Sequence, residues 1–160
     1  MRLKNIVDED FVQYKEPCMF LTTCFCDWKC CTEIGADICM CQNSPAYDSP
    51  IVNKRNEALV RRYMKNDITK SIVFGGFEPL LQFDELVELI RCFREKTDDP
   101  IIVFTGYREG AETNDKIEIL KQFKNVIVKF GRYRPNQKPH HDDILGVDLA
   151  NDEQYAKRIS

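Results

Sequence analysis

The sequence has no long apolar run, no block of basic residues, no internal repeat and no low-complexity tract. Each absence excludes something. Without a stretch of about 18 apolar residues there is no transmembrane helix to place, and without a basic block there is no footprint for nucleic acid or for an anionic membrane. The expected partners are therefore small molecules or another protein, with neither nucleic acid nor membrane among them. The opening stretch MRLKNIVDEDFV also lacks an apolar h-region, which points to a cytoplasmic protein with reduced thiols rather than a disulfide framework. A chain of 160 residues with a net charge of −3 is long enough for one domain with a real core and short for two, so residues 1–160 are read as a single domain.

What the sequence does have is cysteine. Cys18, Cys24, Cys26, Cys30, Cys31, Cys39 and Cys41 fall within one short segment beside Asp27, Lys29, Glu33 and Asp37, and only Cys92 lies elsewhere. Core cysteines would be scattered among apolar residues, whereas crowded thiols beside charges are ligands or redox groups. Zinc knuckles usually pair their ligands as C-x-x-C, and this segment offers only C-x-C, C-x-x-x-C and adjacent cysteines. Spacing alone leaves an iron–sulfur cluster and a structural zinc site both open. Cys92 sits among helical apolar positions and reads as packing.

Along the chain, short apolar strands alternate with amphipathic helices. Met19–Thr22 reads as a strand that runs into the cysteine loop, and a helix over Lys54–Asn66 follows the polar connection 44–53. Ser71–Phe74 is a second strand, ending in Gly75-Gly76-Phe77-Glu78-Pro79, and Asp84 is read as the cap of the next helix, with Leu86, Ile90 and Phe93 inward. Ile101–Phe104 is a third strand followed by Thr105-Gly106-Tyr107. Asn114 caps a helix through Phe123, Val126–Phe130 is a fourth strand, and Ile144–Leu149 supplies a fifth. This β-loop-α rhythm implies an α/β fold with mostly parallel strands in an open sheet or part of a barrel. Ligands collect at the carboxyl ends of such strands, so three loops converge there.

Three thiolates given to a cubane [4Fe-4S] cluster leave one iron open to chelation by an amine and a carboxylate, and S-adenosylmethionine carries both. Gly75 and Gly76 allow close approach of backbone to a ligand, and Glu78 suits a bound ammonium group. Read in isolation, the same residues make an ordinary turn with a solvated glutamate. His140-His141, after Pro139 and beside Asp142 and Asp143, reads as a solvated turn rather than a metal pair. Lys129 either touches a ligand carboxylate or sits in solvent.

Taken in order, these motifs resemble the radical S-adenosylmethionine superfamily, and within it the activating proteins of anaerobic ribonucleoside-triphosphate reductase, over nearly the whole chain. Cys41-Gln42-Asn43 is similar to the end of that family's cluster loop, and Gly75-Gly76-Phe77-Glu78-Pro79 to its double-glycine motif, with Phe77 an extra residue. Phe104-Thr105-Gly106-Tyr107, Gly131-Arg132-Tyr133 and the closing Leu149-Ala150-Asn151-Asp152-Glu153-Gln154 resemble later family motifs.

One departure stands out. The family pattern C-x-x-x-C-x-x-C would place a third cysteine at position 33, where this chain has Glu33. An insertion over Thr32–Met40 between the second and third ligands makes Cys26, Cys30 and Cys41 the cluster set, with Cys24, Cys31 and Cys39 as rivals. Met40, just before the last ligand, either packs on the adenine or fills a gap. The resemblance implies an incomplete (β/α) barrel, a [4Fe-4S] cluster and S-adenosylmethionine as cofactors, and Gly75, Gly76 and Glu78 as cofactor-binding residues. It further implies a partner glycyl-radical enzyme of the anaerobic ribonucleotide reductase type and an electron donor such as flavodoxin or ferredoxin. Two other expectations remain beside it: a radical enzyme acting on a small molecule or peptide, and a non-catalytic domain holding structural zinc.

Overall fold

The computed structural model describes residues 1–160. The chain runs through β1 (Arg2–Leu3), β2 (Asn5–Asp10), β3 (Cys18–Thr22), α1 (Lys29–Thr32), β4 (Val52–Asn53), α2 (Asn56–Met64), β5 (Ser71–Gly75), α3 (Phe83–Arg94), β6 (Ile101–Phe104), α4 (Asn114–Leu120), β7 (Val126–Phe130), β8 (His140–Asp142), β9 (Val147–Leu149) and β10 (Tyr155–Arg158). The strands β3, β5, β6 and β7 lie side by side in that order, all parallel, because each is a short apolar run buried on both faces. Antiparallel edges complete a six-stranded sheet of order β10-β7-β6-β5-β3-β2. The fold is thus α/β with a mostly parallel central sheet, and the sheet is open.

Alternation along the strands sends Met19, Leu21, Ile72, Phe74, Ile101, Val103, Val126 and Val128 into one cluster with Leu59 and Tyr63 of α2, Leu86, Ile90 and Phe93 of α3, and Ile117 and Leu120 of α4. The three crossover helices therefore share one face. The other face buries Cys18, Val73, Ile102 and Ile127 under Tyr14, Leu145, Leu149 and Ala156. Pairing of Thr22 with Gly75, Phe74 with Val103 and Phe104 with Lys129 aligns the carboxyl ends of the parallel strands along one edge. No helix is long and apolar enough to cross a membrane.

Several sequence expectations change here. Residues 144–149 do not add a strand to the main sheet. Val147–Leu149 instead pairs with His140–Asp142 in a separate hairpin, so the two histidines stand on a strand rather than in a solvated turn, and His141 Nδ1 lies 3.0 Å from Asp148 Oδ1. The edge position goes to Tyr155–Arg158, and the opposite edge to Asn5–Asp10. Both were hidden by polar sequences (YAKR and NIVDED) of the kind that protect edge strands from further pairing. Asp84 and Asn114 lie inside their helices, whose N-caps are Gln82 and Thr113. The helix expected over 54–66 is trimmed to Asn56–Met64. Cys92 packs at the margin of the larger core as expected.

Candidate functional site

The strand ends open into a cleft of about 300 Å³. Cys26, Cys30, Cys31 and Cys41 line it, together with Gly76, Glu78, Thr105, Gly106, Lys129 and Gln154. The expected convergence of the cysteine, double-glycine and Thr-Gly-Tyr loops is therefore observed. Of the rival thiols, Cys24 is buried with its N–H donating to Gln82 Oε1 at 3.1 Å, and Cys39 is exposed. Cys18 belongs to the core, where burial pushes its thiol up to about 12.

The cysteine loop is held at both ends by the double-glycine loop. Glu78 N–H donates to Phe25 O at 2.8 Å, and Asn43 Nδ2 donates to Gly76 O at 2.6 Å. Tyr107 Oη donates to Asp27 Oδ2 at 2.6 Å. Burial works against the Asp27 carboxylate, but this bond and the Lys29 N–H outweigh it and its pKa is lowered. Between the first two cleft cysteines Trp28 adopts φ +58°, a left-handed conformation that costs a bulky residue roughly 1–2 kcal/mol. Packing offsets that cost: Trp28, Tyr47 and Phe77 meet edge to face, with ring centroids 5.5, 5.7 and 6.4 Å apart. Phe77, the extra residue of the glycine motif, is the buried member of this trio.

Each expected glycine has a distinct role. Gly76 has φ +82°, and a Cβ there would lie 2.4 Å from Thr22 Cγ2. The close approach to strand β3 by itself requires glycine here, and the residue also lines the cleft. Gly75 does not line the cleft, and a Cβ on it would meet the Phe20 ring at 3.1 Å. Gly106, to which sequence reasoning gave no role, is the glycine that makes room at the site, since its Cβ would sit 3.2 Å from Cys30 Sγ and 3.5 Å from Glu78 Oε2. Gly76→Ala is expected to cost about 2–4 kcal/mol through combined strain and overlap, and Gly75→Ala clearly less. Chemical denaturation of the two variants measures the difference.

Glu78 is only 6% exposed. Its Oε1 accepts from Leu80 N–H at 3.0 Å and Thr105 Oγ1 at 2.8 Å, and its Oε2 from Gly106 N–H at 2.8 Å. Burial raises its pKa, and these donors act in the opposite sense. Across the cleft Lys129 is 9% exposed, and burial lowers its pKa to about 8. Its Nζ makes one long hydrogen bond, to Gly131 O at 3.3 Å, and lies 5.9 Å from the centroid of the Phe104 ring, so it is not the solvated lysine that the sequence left open. Met40 is exposed and does not line the cleft, so it is not the gap-filling residue that the sequence offered.

Burial pushes the Cys26 thiol up to about 12 and raises that of Cys30. Coordination reverses this, because a metal-bound thiol is deprotonated outright. Cys26 Sγ also accepts from Trp28 N–H at 3.4 Å. Cys26, Cys30, Cys31 and Cys41, which line one cleft, are donors of the kind that hold a polynuclear group with one thiolate on each of several irons.

Comparisons with curated proteins and with solved structures gave no match. A family described as "4Fe-4S single cluster domain" matches residues 17–149, from the start of β3 to the end of β9. The matched span contains the cysteine loop, the double-glycine loop, Thr105-Gly106-Tyr107 and Lys129, and therefore nearly all of the cleft wall. The chain belongs to the 4Fe-4S single cluster domain family.

Proposed function

We propose that the chain is a radical S-adenosylmethionine activase in which Cys26, Cys30 and Cys41 hold the cluster and the same cleft binds S-adenosylmethionine. The observation that carries this reading is the pairing, in one cleft, of cysteine thiols with a buried carboxylate, Glu78, and a buried amine, Lys129. The methionyl end of the cofactor bears an ammonium and a carboxylate. Glu78 Oε2 accepts one protein hydrogen bond and keeps acceptor capacity for an ammonium group. Lys129 Nζ, with a single long hydrogen bond, keeps donors for a carboxylate. Trp28 and Phe77 offer aromatic surface on the cleft wall for a purine.

When bound, the cluster supplies the electron for reductive cleavage of S-adenosylmethionine, which ends in a glycyl radical on a partner enzyme. The chain's own residues bind and orient the reactants. Successive parallel strands added on one side, with α2, α3 and α4 on a shared face, support reading the open sheet as an incomplete (β/α) barrel. An open sheet leaves room for a large substrate. Exposed Ile34, Ile38 and Met40 on the insertion before Cys41 support contact with a protein partner. Anaerobic ribonucleoside-triphosphate reductase is the leading partner, with a flavodoxin or ferredoxin as electron donor in an anaerobic cytoplasm.

Reduced, cluster-loaded protein is expected to convert S-adenosylmethionine to methionine and 5′-deoxyadenosine. Adding the reductase from the same source should give a glycyl doublet in the electron paramagnetic resonance spectrum. Rapid 5′-deoxyadenosine formation driven by a small metabolite, with no radical on the reductase, would refute the activase reading.

A further inference from the structure

Glu33 occupies the position three residues after Cys30 and is held by two arginines from the loop after β7. Arg132 grips it as a fork, Nε to Oε2 at 2.6 Å and Nη2 to Oε1 at 2.6 Å, and Arg134 Nη2 donates to Oε2 at 2.9 Å. Each arginine gives Nη1 to a main-chain carbonyl beside the cleft: Arg132 to Gly106 O at 3.0 Å and Arg134 to Cys30 O at 3.1 Å. A Cβ on Gly106, whose carbonyl Arg132 grips, would lie 3.2 Å from Cys30 Sγ, so both guanidinium groups are anchored on backbone next to that thiol.

Stability alone is a poor reason for this arrangement. The arginine side chains are 7% and 10% exposed, while that of Glu33 is 39% exposed. A partly solvated carboxylate repays little of the desolvation of two guanidinium groups. The remaining carboxylate, Glu153, is 3.5 Å from Arg134 Nε and is shared with Arg108. What the arrangement does achieve is to tie α1 to the loops after β6 and β7, with cationic charge beside Cys30.

We propose that Glu33, Arg132 and Arg134 form a positioning clamp that holds positive charge beside Cys30 and so sets the reduction potential of the cluster bound there. The proposal rests on the reading of Cys30 as a ligand. Reduction adds negative charge to the cluster, so a nearby cation favours the reduced form.

The test is a redox titration of the anaerobically reconstituted full chain, followed by the electron paramagnetic resonance signal of the reduced cluster. Arg132→Met removes a cation and should move the midpoint potential down. Glu33→Gln keeps the shape, removes the anion and should move it up. Arg132→Lys keeps the charge and should return most of the Arg132→Met shift. Purely structural damage would lower iron content or thermal stability without opposite shifts. If Arg132→Met holds no cluster, the Glu33→Gln shift decides alone. Unmoved potentials, or shifts of one sign, in variants that hold iron would overturn the clamp and leave the site reading intact. A wild-type chain that takes up no iron would remove both.

Discussion

Cys26→Ala, Cys30→Ala or Cys41→Ala is each expected to cut iron incorporation from about four per chain to a small fraction, whereas Cys18, Cys24, Cys39 and Cys92 tolerate the same change. The three sensitive thiols line the cleft. The tolerant ones are a core residue, a buried thiol off the cleft wall, an exposed loop residue and a helix residue packed at the core margin. Changes in groups that merely support metal ligands already cost about 10–100-fold in affinity, so loss of a ligand should cost at least that. Cys31 is the informative control, because it too lines the cleft and is 3% exposed. Retention of iron in Cys31→Ala supports the three-thiolate set. Loss of iron there, with retention in Cys26→Ala, would replace Cys26 by Cys31 as a ligand. Iron and sulfide assays after anaerobic reconstitution read all of these outcomes.

Glu78→Ala should lower the stability of the folded chain by about 3–5 kcal/mol, an effect on the fold itself that the sequence did not anticipate. From sequence the carboxylate reads as a ligand for an ammonium group, whose loss would weaken cofactor binding and leave the iron content unchanged. In the structure it bridges two loops: Leu80 and Gly106 N–H and the Thr105 hydroxyl all donate to it. Removing it strands donors at a buried site, each worth about 1–3 kcal/mol when left unmade, with partial relaxation limiting the sum. Glu78→Gln keeps the size and one carbonyl oxygen and should cost less than half as much. Thermal and denaturant unfolding of the apo protein separate this structural role from cofactor affinity, measured on the same variants after reconstitution. An apo protein unchanged by Glu78→Ala would contradict the strut.

The parts of the fold legible in the sequence are those written in apolar periodicity. The four parallel strands and the positions of α2 and α3 follow from short β-branched runs and from helical spacing, because burial on both faces forces that composition. The edges β2 and β10 were not legible, since edge strands carry charge to avoid further pairing. At the site, the C-x-x-x-C spacing, the double glycine and Thr-Gly-Tyr identified which loops meet. Their individual roles did not follow, because they depend on distances across loops: Gly76 against Thr22, Gly106 against Cys30, and Phe77 against Trp28. The arginine clamp left only a weak sequence signal, a glutamate at a motif position where the resembled family has cysteine and two arginines one residue apart a hundred positions later.

The central claim is that the cleft holds a cluster on three thiolates with one iron left open to S-adenosylmethionine. Iron-57 Mössbauer spectroscopy of the anaerobically reconstituted wild-type chain, with and without S-adenosylmethionine, tests it most directly. The account predicts the quadrupole doublets of a [4Fe-4S] cluster and, on adding S-adenosylmethionine, a changed isomer shift for one iron in four. A spectrum that S-adenosylmethionine leaves untouched, or a folded protein that holds one zinc and no iron, would contradict it.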